Sequence, residues 1–84
     1  MDKVDLTVRL FAGLKCENRE LACYGQKEFI IELQTGTNLG QLLDFLGIPA
    51  EMGKIILVNG QFKPLTQDLI DGDQVSIFPP IGGG

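Results

Sequence analysis

From residue 4 to residue 11 the chain alternates. Val4, Leu6, Val8 and Leu10 are apolar, Asp5, Thr7 and Arg9 between them are polar, and Phe11 falls on the polar parity. A period of two predicts a half-buried strand whose successive side chains point to opposite faces, which turns Phe11 away from the core. Residues 27–33 predict a second strand, with Phe29, Ile31 and Leu33 on one face, suited to antiparallel pairing with the first. Residues 12–26 between them follow no single period. Ala12-Gly13 and Gly25-Gln26 mark turns; residues 14–21 read equally as a short helix or a loop with one helical turn, since Leu14, Leu21 and Cys23 fit no single period.

The period then changes. Leu39, Leu42, Leu43 and Leu46 recur at i, i+3, i+4 and i+7, the apolar stripe of a helix lying on a core. Asn38 is placed to cap its start, with Gln41 completing an imperfect capping box, and Thr37 is the other candidate cap. Gly47 sits where a left-handed C-terminal residue belongs, Ile48 follows as its apolar contact, and Pro49 stops the helix. Such a stripe is core, and no function attaches to it.

Residues 54–59 predict a third strand, aliphatic on both sides. Asn59-Gly60 is a tight-turn signal leading into a short strand at 61–63, which Pro64 ends. Residues 65–70 read as a turn-rich connection whose leucines plug the core edge, and Asp71-Gly72-Asp73 as a further turn. In the last strand, 74–78, Val75 and Ile77 face the core while Ser76 and Phe78 face out. This order of elements predicts an α+β domain over residues 1–78: one mixed sheet of four to five strands folded over one main helix. Phe11 and Phe78 then share the face away from the helix, and Phe62, just after the Asn-Gly turn, is a candidate to join them. Exposed phenylalanines grouped on a small domain form a partner site.

Residues 79–84 need another explanation. Gly82, Gly83 and Gly84 bury no side chain and lose the most backbone entropy on ordering, so they build no core. Frayed linkers are also glycine-rich, but they usually carry serine and do not follow directly on a strand such as Val75-Ser76-Ile77-Phe78. A thread without side chains enters a narrow slot. Pro79-Pro80 favours an extended exit, and Pro80 to Gly84, with Ile81 the one bulky side chain among them, reaches roughly 17 Å at about 3.3–3.6 Å per residue. The chemical handle at its end is the Gly84 carboxylate.

Composition narrows the classes. Eighty-four residues make one small domain, and a hydrophobic content of 44% suffices for a compact core. Seven basic against eleven acidic residues, net −4, argue against nucleic acid and favour a protein partner with a basic docking site. No histidine is present, which removes Ser-His-Asp and Cys-His catalysis and most zinc sites. No signal-like or membrane-spanning apolar run is visible, so the expected location is the cytoplasm. There Cys16 and Cys23 are expected as free thiols with a structural role; two sulfurs alone hold no metal.

These features together resemble the MoaD/ThiS sulfur-carrier family of ubiquitin-like β-grasp proteins from Val4 to Gly84. The resemblance is carried by Val8-Arg9-Leu10-Phe11-Ala12, the helix within 37–49, Ile56-Leu57-Val58-Asn59-Gly60, Leu65 through Asp71-Gly72-Asp73, and Phe78-Pro79-Pro80 with the terminal glycines. Phe-Pro-Pro is closer to MoaD, the small subunit of molybdopterin synthase; the triple glycine is common in ThiS-like carriers. The resemblance implies a β-grasp fold with a flexible tail and a chain that carries sulfur rather than catalysing. An E1-like enzyme of the MoeB or ThiF type would spend ATP and magnesium to adenylate Gly84. A cysteine desulfurase or sulfurtransferase would then supply sulfur, leaving a thiocarboxylate. A MoaE-like large subunit would receive the tail, with Phe11, Phe62 and Phe78 contacting the partners and no cofactor or metal bound to the carrier. The alternatives are ThiS-like donation to thiazole and a protein modifier forming isopeptide bonds.

Overall fold

The computed structural model describes residues 2–48 and 55–79. The two alternating segments form β1 (Lys3–Leu10) and β2 (Glu28–Gln34), and the leucine stripe forms α1 (Leu39–Leu46). With β3 (Ile55–Val58), β4 (Gln61–Phe62) and β5 (Gln74–Phe78), the strands make one five-stranded sheet in the order β2-β1-β5-β3-β4. β1 and β5 pair in parallel, and the remaining neighbours are antiparallel. Parallel neighbours need a crossover, which the segment carrying α1 supplies. This is the β-grasp arrangement.

One face of the sheet builds the core. Val4, Leu6, Val8 and Leu10 from β1, Phe29, Ile31 and Leu33 from β2, and Val75 and Ile77 from β5 join the four α1 leucines in a single apolar cluster. Each fully buried leucine or isoleucine there contributes about 1.5–3 kcal/mol relative to exposure. The bounds of β2 lie one residue later than the periodicity suggests, because pairing runs on from Arg9–Glu28 to Lys3–Gln34. Leu69 is buried as a plug of the core edge, but Leu65 is exposed, so only one of the two leucines in that connection serves as expected.

The helix ends are fixed by local hydrogen bonds. The Asn38 side chain accepts from the Gln41 amide at 2.8 Å, and the Gln41 side chain accepts from the Asn38 amide at 2.9 Å, a complete capping box. Gly47 takes φ 77°, and its amide donates back to the Asp44 carbonyl. A Cβ at residue 47 would stand 3.2 Å from the Glu17 Cβ, so both conformation and space require glycine here.

Residues 12–26 contain turns and no helix. The reason is visible in the backbone. The Glu17 amide donates to the Leu46 carbonyl at 2.9 Å, and the Asn18 side-chain amide donates to the Phe45 carbonyl at 2.7 Å. Carbonyls that α1 leaves unsatisfied at its C-terminus are thereby met by the β1–β2 connection. Leu14, Cys16 and Cys23 fold inward beneath that contact and are buried. Tertiary bonds rather than a periodic stripe hold the segment.

A polar network starts β5. Asp73 is 5% exposed, and its carboxylate accepts from the Asn59 side-chain amide and the Ile70 amide, each at 2.8 Å. Asn59, at φ 54° in the turn after β3, also accepts from the Gln74 amide at 2.9 Å. Removing the carboxylate leaves two part-buried donors without their partner. Asp73→Ala is therefore expected to cost about 1–2 kcal/mol and to lower the melting temperature by roughly 5–15 °C. A thermal melt matching that of the parent would show that the turn is held by something else.

Candidate functional site

The face of the sheet opposite α1 is shaped by register. Arg9 pairs with Ser76, Ser76 with Leu57 and Leu57 with Phe62, so one row of outward side chains crosses the sheet. Beside it, Phe78 pairs with Ile55. Phe11 lies one residue past β1, but its amide still donates to the Ile77 carbonyl at 3.0 Å. That bond extends the β1–β5 pairing and lays the Phe11 ring on Phe78, with centroids 4.3 Å apart and planes 9° from parallel.

The apolar surface therefore consists of Phe11, Phe78, Ile55, Leu57 and Phe62. Phe11 is 37% and Phe62 75% exposed, while Ile55, Leu57 and Phe78 are half-buried. Phe62 stands two strands from Phe78, and Leu57 and Ile55, two apart on the strand between and thus on one face, lie in that interval. Sequence reasoning did not assign Ile55 and Leu57 to this surface, because a strand aliphatic on both sides reads as wholly buried. The usable signal was the Asn59-Gly60 turn, which sets Phe62 opposite Leu57. At one end of the row Arg9 pairs with Glu28 at 3.1 Å, an exposed ion pair of little energetic weight.

The described chain ends at this surface. Pro79 follows Phe78 directly and is half-buried. Pro80, Ile81, Gly82, Gly83 and Gly84 lie outside the described residues. Since β5 is flanked by β1 and β3, Phe78 stands between Phe11 and Ile55.

Other features fit this surface less well as a centre of chemistry. A shallow groove of about 350 Å³ between β2 and α1 is lined by Lys3, Glu32, Leu33, Gln34, Thr37, Gln41 and Phe45. Among the described residues no group of three or more His, Cys, Asp or Glu is placed to hold a metal ion, and no helix is long and apolar enough to cross a membrane.

Cys16 and Cys23 are both buried free thiols, the Cys23 thiol donating to the Cys16 sulfur at 3.0 Å. Burial above all, and then the hydrogen bond to Cys16, push the Cys23 thiol from an ordinary 9.0 up to about 12. A group raised on folding stabilises the fold fully below its unfolded value and loses that contribution as pH climbs toward the folded one. The Cys23 contribution is therefore expected to fall between pH 9 and 12, at no more than about 1.4 kcal/mol per pH unit. Thermal unfolding of Cys23→Ala against the parent over that range checks it: the variant's slope should be shallower, and equal slopes would refute the assignment.

A family model described as the ThiS family matches residues 8–84. No curated protein matches the chain. Among solved structures, the chain is similar to a Pyrococcus furiosus protein described as a molybdopterin converting factor, subunit 1, at 29% identity and TM-score 0.65, covering 93% of this chain and 99% of that one. The small archaeal modifier protein 1 of Haloferax volcanii shares the fold at 23% identity and TM-score 0.64, with 93% and 99% coverage. So does a chain from the complex of subunits 1 and 2 of molybdopterin-converting factor from Helicobacter pylori, at 23% identity and TM-score 0.59, with 96% and 100% coverage.

Proposed function

The chain belongs to the ThiS family, and from that premise we propose that it carries sulfur as a thiocarboxylate on Gly84 and donates it for molybdopterin synthesis. The observation that carries this reading is the stacked Phe11–Phe78 pair at the root of the glycine thread. A carboxylate is a poor electrophile, because its charge is delocalised and its oxide is a bad leaving group. Joining it to AMP removes both obstacles. An E1-like enzyme of the MoeB or ThiF type makes that anhydride from ATP with magnesium. A persulfide of a cysteine desulfurase or sulfurtransferase then attacks the anhydride and expels AMP, and a thiol cleaves the resulting acyl disulfide, leaving the thiocarboxylate and a disulfide.

A MoaE-like large subunit grips the Phe11, Phe62 and Phe78 surface and draws Pro79 to Gly84 into its own active site. There the thiocarboxylate attacks a cyclic pterin precursor. Holding the tail in place supplies much of the rate, since a well-oriented reactant is worth about 7–11 kcal/mol of barrier at best. The catalytic side chains are the partner's, the carrier itself needs no resident cofactor, and supplies of ATP and persulfide sulfur place the work in the cytoplasm. The likeness to a molybdopterin converting factor subunit and to a chain of a two-subunit complex supports this partner. Likeness to a small archaeal modifier supports a second reading, in which the activated glycine is joined to lysines.

Reconstitution separates the readings. The loaded carrier, a MoaE-like subunit and the cyclic precursor are expected to yield a dithiolene pterin. Loaded carrier that leaves the precursor untouched but delivers sulfur to thiazole-forming enzymes would overturn the molybdopterin assignment. Lysine-linked adducts in place of sulfur transfer would favour the modifier.

A further inference from the structure

We propose that Cys16 and Cys23 are a dithiol–disulfide couple that closes on oxidation into a cross-link within the β1–β2 connection, stapling it under the C-terminal end of α1. The proposal is independent of the carrier reading. The two sulfurs stand 3.0 Å apart, only about 1 Å beyond the ~2.04 Å of a disulfide. Their approach is built into the fold. The Cys16 amide donates to the Gln26 carbonyl at 3.1 Å, the Gly25 amide to the Cys16 carbonyl at 2.8 Å, and the Gln26 amide to the Cys23 carbonyl at 2.8 Å. These bonds hold both backbones while the sulfurs meet inside the core. No third ligand accompanies them among the described residues, so a metal is not what the pair is arranged to bind.

The oxidant required is a low-molecular-weight disulfide of the glutathione class. Cys23 keeps 8% exposure against 0% for Cys16, so it reacts first. Its thiolate attacks one sulfur of the oxidant, forming a mixed disulfide as the oxidant's S–S bond breaks, and the released small thiolate takes up a proton. The Cys16 thiolate then attacks the Cys23 sulfur, the mixed disulfide breaks, and a second small thiolate leaves and is protonated. In sum, two protein thiols give up two electrons and two hydrogens, and the oxidant becomes two thiols. Burial keeps the first step slow in the folded state, which makes the reduced form persistent once folded.

The cross-link has a structural consequence. Glu17 and Asn18, the residues that hydrogen-bond the Leu46 and Phe45 carbonyls, lie inside the loop it closes. Closing so short a loop removes freedom mainly from the unfolded chain and is expected to raise the melting temperature on the order of 10 °C.

The test is refolding of the full chain from denaturant in glutathione–glutathione disulfide buffer, with a parallel sample in dithiothreitol. Each is alkylated with iodoacetamide under denaturing conditions and weighed intact. The oxidised sample should lack two hydrogens, take up no alkyl group and melt higher, while the reduced sample takes up two. Cys16→Ser and Cys23→Ser should each form only a mixed disulfide or one alkyl adduct. Parent protein that refolds with both thiols free, or with glutathione attached instead of an internal bond, overturns the proposal. So does an internal disulfide that melts below the reduced form.

Discussion

Deleting Gly84, or adding one residue beyond it, is expected to abolish sulfur loading while leaving the melting temperature within about 2 °C of the parent. The first half follows from chemistry. Adenylation needs a terminal carboxylate at a fixed reach from the docked domain, and either change moves it by one residue, about 3.3–3.6 Å of extended chain. A misplacement of even about 1 Å at a reacting centre can cost on the order of a hundredfold, so a shift of a whole residue leaves nothing measurable. The second half follows from the core, whose buried apolar residues among those described run from Val4 to Ile77. Loading is read as AMP release or sulfur incorporation, and folding as a thermal melt. A substantial fall in stability on deleting Gly84 would mean that the tail is part of the packed domain.

The second large effect concerns the sheet surface. Phe78→Glu is expected to weaken binding to a MoaE-like or E1-like partner by roughly 30- to 1,000-fold, the range of about 2–4 kcal/mol typical of a central aromatic anchor. Phe78 touches Phe11 across the β1–β5 seam and stands directly before Pro79, so on the proposed reading a charge there would be buried against the partner. Phe62→Glu supplies the control for folding. At 75% exposure Phe62 contributes little to the domain's own stability, and its loss should also weaken the complex, by a smaller factor because it lies at the end of the surface. Titration calorimetry with the partner, beside a thermal melt of each variant, distinguishes lost contact from lost folding. Undiminished binding by both variants would remove this surface from the account.

Much of this arrangement was legible beforehand, for identifiable reasons. The α1 stripe is long enough for its period to be unambiguous, and both its ends carry residues whose side-chain chemistry only a helix terminus uses well: Asn38 with Gln41, and Gly47. Strand parity oriented Phe11 and Phe78, because a period of two leaves each residue only two choices and the core takes one. The connection between β1 and β2 was not legible. Its fold depends on Glu17 and Asn18 meeting carbonyls almost thirty positions away, and no local pattern records such a contact. The same holds for Leu65 and Leu69, which are chemically identical while one is exposed and the other buried, a difference decided by the single turn between them. Ile55 and Leu57 were concealed by their own hydrophobicity: partners' surfaces and cores draw on the same residues, and only the register with Phe62 and Phe78 separates the two uses.

The most direct measurement is the intact mass of the chain, with fragmentation of its C-terminal peptide, after incubation with an E1-like activating enzyme, ATP, magnesium, a persulfide donor and a thiol reductant. The account predicts that one terminal oxygen is replaced by sulfur and that the change maps to Gly84. A chain whose terminus is unaltered, under conditions that load an established carrier in the same mixture, would contradict it.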